Sequence, residues 1–190
     1  MAKLDCAIIL AAGEGTRMKS HTPKVLHDFA GKTFLHRVMD SVRALNPAST
    51  AVVVRHQGQR VGQAAKQYNP QALVVKQDEI SGTGRAVQCA VFELEKMGKF
   101  HGTVLIVASD MPLLDTQTLH QLLSDHEDRG NAATVLTTSL QNPFGYGRII
   151  RDPQGNLLRI VEQKDANASE LAVNEVNTSV YAFDAAILSQ

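Results

Sequence analysis

One stretch near the start of the chain combines small residues with positive charges, as a polyphosphate site would require. Its small or neutral residues, here called the phosphate loop, are Leu10, Ala11, Ala12, Gly13, Gly15 and Thr16. A backbone with so little side chain lets a ligand approach closely and directs its N–H groups at an anion. Arg17 and Lys24 add two cations beside those amides. A plain strand-to-loop turn would need the glycines but neither cation, so we favour the polyphosphate interpretation.

Two common nucleotide-binding motifs do not fit this spacing. A dinucleotide-binding fold carries G-x-G-x-x-G with an acidic residue about 20 residues later. Here Met18 stands where the third glycine belongs, and Arg55 and His56 follow the second predicted strand. The sequence also lacks the Walker pattern G-x-x-x-x-G-K-[ST]. The stretch therefore predicts nucleotide binding without hydride transfer or P-loop hydrolysis.

The elements that must position this loop alternate between strands and helices. Helices separate the predicted buried strands, which are residues 6–10, 51–54, 72–75, 104–107 and 134–140. This order predicts an α/β fold with a Rossmann-like, mixed and mainly parallel sheet and helices on both faces. Beyond it, short strands surround a Gly/aromatic loop. We expect a nucleotide-binding part over about 1–140 and a small β-rich part over about 141–183.

Two further polar segments follow predicted strands of this sheet. In an open parallel sheet, ligands bind beyond the carboxyl ends of the strands. The segment Gln77 to Thr83 follows the third strand, and Asp110 follows the fourth. A lone carboxylate at such a place holds Mg²⁺ together with substrate phosphates. Asp115 or Thr116 lies closer to the next helix start, so Asp110 is not needed as its cap, and we predict Asp110 as a metal ligand.

The composition argues against several classes of protein. The chain has 190 residues, of which 44% are hydrophobic and 20% charged, as is typical of a globular domain with a sizeable core. A formal net charge of zero and the absence of Trp argue against nucleic-acid binding. We find no apolar run that could span a bilayer and no signal-peptide pattern, and Cys6 and Cys89 form no disulfide or metal framework. We expect a cytoplasmic protein with no membrane partner.

The motifs taken together resemble the signature of the sugar-phosphate nucleotidyltransferases. The likeness starts at the phosphate loop with Pro23–Leu26 behind it and continues, in the family's order, at residues 82–84, 110–113, 145–148, 160–166 and 175–178. More narrowly, the chain resembles the N-terminal uridyltransferase (pyrophosphorylase) domains of the bifunctional N-acetylglucosamine-1-phosphate uridyltransferase/glucosamine-1-phosphate acetyltransferase family. The resemblance implies a nucleotide-diphospho-sugar transferase fold, with residues 1–190 as one nucleotidyltransferase domain that is incomplete at its C-terminal end.

The resemblance also implies a reaction and a role for each motif. The family forms UDP-N-acetylglucosamine and pyrophosphate from UTP and N-acetylglucosamine 1-phosphate, with Mg²⁺ as cofactor. By this likeness Arg17 and Lys24 would be catalytic and would hold the triphosphate, and Asp110 would bind the metal. The residues implied for uracil are Gln77, Gly82 and Thr83, and those implied for the sugar and ribose are Gly147, Glu162 and Asn177. From the residues alone, the last three could equally serve a turn, a solvated strand end and a backbone hydrogen bond.

Other functions and a larger assembly stay open at this point. A guanylyl- or cytidylyltransferase for another phosphorylated small molecule would share the phosphate loop, and a nucleotide-binding module without turnover would share the whole site. In the resembling family a left-handed β-helix domain follows, so we expect a homo-oligomer (a trimer) of the full-length protein through that domain. Ser109 and Ser179 stand where the family commonly has glycine, and Ile80 where it often has Gln. These positions bear on nucleotide and sugar selectivity.

Overall fold

The chain divides into two units in this computed structural model, which describes residues 3–15 and 18–189. Unit 1 is Met1–Thr134 together with Tyr181–Gln190, and unit 2 is Val135–Val180. The assignment of residues 1–190 to one nucleotidyltransferase domain, with a change of character near residue 140, stays a prediction.

Unit 1 is built on a sheet whose inner strand leads into the phosphate loop. Its strands are β1 (Cys6–Ala11), β2 (Asp28–Phe29), β3 (Lys32–Thr33), β4 (Ser49–Val54), β5 (Leu73–Lys76), β6 (Thr103–Ala108) and the end of β10 (Glu175–Asp184). Strand β1 pairs in parallel with β4 on one side and β6 on the other, and β4 pairs in parallel with β5. The end of β10 pairs antiparallel with β6, while β2 and β3 form a separate hairpin. The predicted mixed, mainly parallel sheet is therefore confirmed.

Some helices of unit 1 begin at a residue whose side chain caps them. They are α1 (Phe34–Arg43), α2 (Gly58–Tyr68), α3 (Thr83–Lys96), α4 (Thr116–Asp128) and the short α6 (Ala185–Leu188), with a 3-10 helix at Lys24–Leu26. The Thr33 side chain accepts a hydrogen bond from the His36 N–H and caps α1. Asp115 accepts from the Thr118 N–H and caps α4. Because Asp115 fills that role, the carboxylate of Asp110 is left for another one.

Apolar side chains of the strands and of α3 hold β1 in place. Ile8, Val53 and Ile106 on the sheet pack in one cluster with Ala90 and Leu94 of α3. Each is almost completely shielded from solvent. Burying a side chain of this size contributes about 1.5–3 kcal/mol relative to leaving it exposed. The strand ends that carry the candidate residues therefore rest on a closely packed core.

A buried carboxylate fixes the opposite end of the inner strand. Asp5, only 6% exposed, accepts a hydrogen bond from the Thr103 N–H at 3.2 Å and pairs with Lys3 at 2.7 Å. Gly102 lies directly against it, with φ +65, and a Cβ there would stand 2.0 Å from the Asp5 Oδ2 atom. Only glycine fits at this position while Asp5 keeps its place.

Cys6, the first residue of β1, is buried in the core. Burial raises the pKa of its thiol to about 11, so Cys6 is an unreactive core residue.

Unit 2 consists of short strands joined by polar as well as apolar contacts. Its elements are β7 (Ala133–Ser139), β8 (Arg148–Arg151), β9 (Leu157–Val161), α5 (Ala168–Leu171) and the first part of β10. Strands β8 and β9 pair antiparallel, and β10 pairs with both β8 and β7. Glu175 binds Arg151 and also accepts from the Thr137 hydroxyl at 2.7 Å. This part of the chain therefore depends on charged pairs as much as on apolar burial.

The structure differs from the sequence-based expectation in two places. The connection after β1 contains the 3-10 helix and the β2–β3 hairpin, neither of which was predicted. Helix α5 was not predicted, because four residues are too few to show a helical period. Within the described residues, no helix combines the length and the apolar character that crossing a membrane would need.

Candidate functional site

The phosphate loop leaves β1 with its backbone accessible. Gly13 is exposed, and a Cβ built on it would meet no atom within 4 Å. Gly15, with φ +62, serves a different purpose, because a Cβ there would lie 2.6 Å from the Cβ of Lys24. The lysine stem thus packs directly on the loop backbone. Thr16 and Arg17, also predicted for this site, lie outside the described residues.

Lys24 and Asp110, which stand 86 residues apart in the chain, meet beside this loop. The Lys24 Nζ atom lies 2.5 Å from the Asp110 Oδ2 atom. Both side chains keep access to solvent, with 31% of Lys24 and 37% of Asp110 exposed. Asp110 follows the end of β6, which neighbours β1 in the sheet. The structure therefore brings together the predicted phosphate-binding cation and the predicted metal ligand.

The serine before Asp110 is turned into the protein. Ser109 is 2% exposed, and its hydroxyl donates to the Leu10 carbonyl at 2.7 Å. Its N–H donates to the same carbonyl oxygen at 3.0 Å. The bulk that serine adds relative to glycine is thus accommodated between the ends of β1 and β6, away from the open side of the site.

The segment 77–82, here called the base loop, is fixed by its own polar residues. Gln77 is 3% exposed and donates from Nε2 to the carbonyls of Ile80 at 2.8 Å and Gly82 at 3.2 Å. Asp78 accepts from the Ile80 N–H and from Arg85, and the hydrogen bond from Arg85 lowers the pKa of the Asp78 carboxyl. Hydrogen bonds within this segment and from Arg85 therefore fix the shape of the loop.

One cleft joins the phosphate loop to the base loop. It encloses about 420 Å³, within the usual range of small-molecule sites. The residues that line it are Leu10, Ala12, Gly13, Glu14, Arg55, Gln77, Ser81, Gly82, Thr83 and Ala86. Six of these lining residues were predicted from the sequence: Leu10, Ala12, Gly13, Gln77, Gly82 and Thr83.

Two charged residues of the cleft, Glu14 and Arg55, were not predicted. Arg55 directly follows β4 and donates to the Glu79 carbonyl at 3.0 Å, so it also supports the base loop. Its position just beyond a parallel strand was the signal that could have identified it.

A larger and mainly apolar groove of about 680 Å³ lies along α3, but of the predicted residues it touches only Thr83.

The three residues predicted for the sugar side lie next to one another in unit 2. The Asn177 N–H donates to the Gly147 carbonyl at 2.9 Å. A Cβ on Gly147 would lie 3.2 Å from the Glu162 Oε1 atom, so the missing side chain leaves room for that carboxylate. Asn177 also accepts from the Ser179 N–H at 2.9 Å. Ser179 itself adopts φ +61, a left-handed conformation that favours glycine.

Among the described residues, a divalent cation would find only part of its coordination shell. The described residues contain no cluster of three or more His, Cys, Asp or Glu side chains suited to a metal ion. Mg²⁺ commonly takes one or two carboxylates and completes its shell with substrate phosphates and water. The partly exposed Asp110 beside the phosphate loop fits that kind of site.

Parallel strands that end in a phosphate loop, a Lys–Asp pair and a cleft define a nucleotide-binding α/β domain. The family model described as the MobA-like NTP transferase domain matches residues 7–170, and the chain belongs to this family. Nucleotidyltransferases of this kind generally use a divalent metal ion and act on nucleotide and sugar-phosphate substrates.

Curated relatives agree with this assignment. The chain is 68% identical over 187 residues to the bifunctional protein GlmU of Bifidobacterium animalis subsp. lactis (strain AD011), covering 98% of this chain and 41% of that protein. It is 66% identical to GlmU of Bifidobacterium longum subsp. infantis, with the same coverage. The chain thus spans 41% of the length of these relatives. The resemblance predicted from the motifs is confirmed by this identity.

A solved structure shows the same fold at low sequence identity. HddC from Yersinia pseudotuberculosis, complexed with GMP-PN, superposes with a TM-score of 0.70 at 18% identity. The match covers 97% of this chain and 79% of that one. The shared fold supports the strand order and the mainly parallel sheet described above.

Proposed function

We propose that the chain forms UDP-N-acetylglucosamine and pyrophosphate from UTP and N-acetylglucosamine 1-phosphate, with Mg²⁺. The observation that carries the proposal is the Lys24–Asp110 pair at 2.5 Å beside the phosphate loop, which also lines the cleft that reaches the base loop. The identity of 68% to a bifunctional GlmU protein supports the same activity.

The proposed reaction needs charge stabilisation rather than a general base. The phosphate oxygen of the sugar phosphate is already anionic when it attacks the α-phosphate of UTP in line, and pyrophosphate departs. Catalysis then depends on positioning and on stabilising the developing charge. Lys24 would leave its ion pair with Asp110 and bind phosphate oxygens of UTP. The amides of the phosphate loop would bind the same triphosphate, and Arg17 would add a second cation.

Asp110 would hold Mg²⁺ together with phosphate oxygens of the substrates, and the bound ion would reduce repulsion between those phosphates. Lys24 balances the Asp110 carboxylate in the structure described here. The carboxylate keeps access to solvent, as a site for a metal ion requires.

The geometry of Gln77 supports uracil as the base. Both hydrogens of its amide group are used by the carbonyls of Ile80 and Gly82, so the side chain offers a ligand only the acceptor Oε1. Uracil presents an N3–H donor on its pairing edge, whereas cytosine presents an acceptor at that position. Helix α3 begins at Thr83 without a side-chain cap, so its first N–H groups suit a carbonyl oxygen of the base.

Residues of unit 2 would bind the sugar and ribose. Glu162 offers an exposed carboxylate to sugar hydroxyl groups, next to the Gly147 backbone and Asn177. We also propose that the full-length protein works in the cytoplasm and forms a trimer through a further domain, as the resembling family implies. Its mass in solution would test the trimer.

A substrate panel tests the proposed function. Pyrophosphate release should be measured with UTP, CTP, GTP and dTTP, each combined with the 1-phosphates of N-acetylglucosamine, glucosamine and glucose. We expect the highest kcat/KM for UTP with N-acetylglucosamine 1-phosphate, and no release when the metal is chelated. A preference for CTP or GTP would favour another nucleotidyltransferase. Tight UTP binding without product at saturating Mg²⁺ would favour a binding module.

A further inference from the structure

A buried guanidinium lies against residues 143–147 of unit 2, close to the residues predicted for the sugar. Arg148 is 2% exposed, and it donates to the Tyr146 carbonyl and, at 2.9 Å, to the Gln163 Oε1 atom. Its Nε atom is buried without a hydrogen-bond partner. Within the described residues, no carboxylate lies within salt-bridge distance of Arg148.

The side chain of Gln163 connects this guanidinium to the loop 143–147, here called the sugar loop. The same Oε1 atom that accepts from Arg148 also accepts from the Gly145 N–H at 3.0 Å. The loop is therefore held at Gly145 by Gln163, at Tyr146 by Arg148 and at Gly147 by the N–H of Asn177. These bonds fix the residue whose backbone lies against the Glu162 carboxylate.

Such an arrangement is an unfavourable way to fill space. A buried cation without an ionic partner is poorly solvated, and apolar side chains of similar volume often give equal or greater stability. A donor left unpaired in the interior, as the Arg148 Nε atom is, adds to that cost. Arg148 therefore contributes something other than stability. What its planar group supplies is two directed hydrogen bonds, one to the sugar loop and one to the residue that binds that loop.

We propose that Arg148 and Gln163 are positioning residues for the sugar phosphate, acting through the sugar loop rather than by touching the substrate. This inference rests on the proposed function, because it assigns Gly147, Glu162 and Asn177 to the sugar side. Removing the bridging oxygen of Gln163 releases Gly145 and one arm of Arg148. The carbonyl and N–H groups of the sugar loop then lose their fixed directions, and binding of the sugar phosphate weakens.

Two variants of Gln163 distinguish a positioning role of this residue from a role in stabilising the fold. Gln163→Leu removes the shared acceptor, while Gln163→Glu keeps an acceptor for both Gly145 and Arg148. Gln154→Leu, at an exposed glutamine in the turn between β8 and β9, is the matched control. We expect Gln163→Leu to raise the KM for N-acetylglucosamine 1-phosphate by about tenfold or more, because the loop loses its charge-assisted hydrogen-bond support. The KM for UTP should stay unchanged, and Gln163→Glu should behave like the wild type.

Amide hydrogen exchange of residues 145–147 in the ligand-free chain provides a readout independent of turnover. Faster exchange there in Gln163→Leu, but not in Gln163→Glu or Gln154→Leu, would support the positioning role. Equal increases in both KM values, or unchanged exchange in the sugar loop, would overturn it. If the wild type releases no pyrophosphate from UTP and this sugar phosphate, the proposed function fails, whereas the exchange measurement still decides whether Gln163 holds the loop.

Discussion

The two units hold their candidate residues by different means. In unit 1 the phosphate loop and Asp110 extend from parallel strands whose side chains are buried among apolar neighbours, such as Ile8 and Ile106. In unit 2 the sugar loop depends on Gln163 and Arg148, and the strand that carries Asn177 is tied through polar and charged contacts of Glu175.

This difference predicts how each candidate site responds to pH, salt and substitution. Apolar burial changes little with pH or salt, so the scaffold of the nucleotide side is set by packing. Ion pairs and charge-assisted hydrogen bonds respond to both. We therefore expect substitutions of the charged candidate residues in unit 1 to act on chemistry while leaving the fold intact, and substitutions of the polar contacts in unit 2 to act on local order first.

The largest expected effect comes from Lys24. Lys24→Met keeps a stem that packs on Gly15 but removes the charge from the phosphate side. We expect kcat/KM to fall by about 100- to 1,000-fold, as when one electrostatic group of an active site is lost. The thermal midpoint should change little, because the pair with Asp110 is partly exposed.

Lys32→Met is the matched control for this substitution. Lys32 also pairs with an aspartate, Asp40, at 2.6 Å in unit 1, but neither residue lines the cleft or belongs to the predicted site. It should keep wild-type activity. A loss of stability in Lys24→Met that accounts for its loss of activity would mean that Lys24 is structural, and would remove the contrast between the units.

An intermediate effect is expected for Glu175 of unit 2. The hydrogen bond from Arg151 holds the pKa of the Glu175 carboxyl below its ordinary value of 4.5. Its stabilisation is therefore complete above about pH 4.5 and is lost as the pH falls through the lower folded-state value. Glu175→Gln should reduce the free energy of unfolding by about 1 kcal/mol at neutral pH, allowing for the partial exposure of the pair.

The pH dependence distinguishes this ion pair from a general defect. Chemical unfolding from pH 7 to pH 3 should show the wild type approaching Glu175→Gln at the acidic end. Glu127→Gln, at an exposed position on α4, serves as control and should follow the wild type throughout. Parallel curves for the wild type and Glu175→Gln would show that the charge of Glu175 contributes nothing.

The smallest effect is expected at Ser179. A non-glycine residue in the left-handed region costs about 1–2 kcal/mol, and the entropy of glycine in the unfolded chain offsets part of that gain. Ser179→Gly should therefore raise the free energy of unfolding by roughly 0.5 kcal/mol. Ser139→Gly, on the exposed side of β7, should lower it instead. Equal destabilisation by both variants would contradict the strain at Ser179.

One rule brings the predicted residues of the nucleotide side together at one edge of the sheet. Ligand groups gather beyond the carboxyl ends of parallel strands, and Asp110 and Gln77 could be identified from that rule. Arg55 follows it too but was not selected, because only its misfit to a dinucleotide pattern was considered. The Lys24–Asp110 contact joins residues 86 positions apart, which no local pattern could indicate.

The sugar side was far less accessible from residue patterns. Gly147, Glu162 and Asn177 came from family resemblance, and each alone had an ordinary structural explanation. The sugar loop is held by Arg148 and Gln163, 15 residues apart in sequence, through side-chain hydrogen bonds that periodicity does not encode. Short strands and a helix of four residues give too little periodic signal to fix such geometry.

The tight contact between Gly102 and Asp5 has a consequence for saturation mutagenesis. In a selection for growth or activity, every substitution at Gly102 would be depleted, because the new Cβ would collide with a buried carboxylate. Gly15 would be depleted in the same way by its contact with Lys24. Fitness scores alone would rank the two glycines together. A separate measurement of soluble protein would distinguish them. Substitutions at Gly102 should reduce the amount of folded protein, whereas substitutions at Gly15 should reduce activity by displacing Lys24.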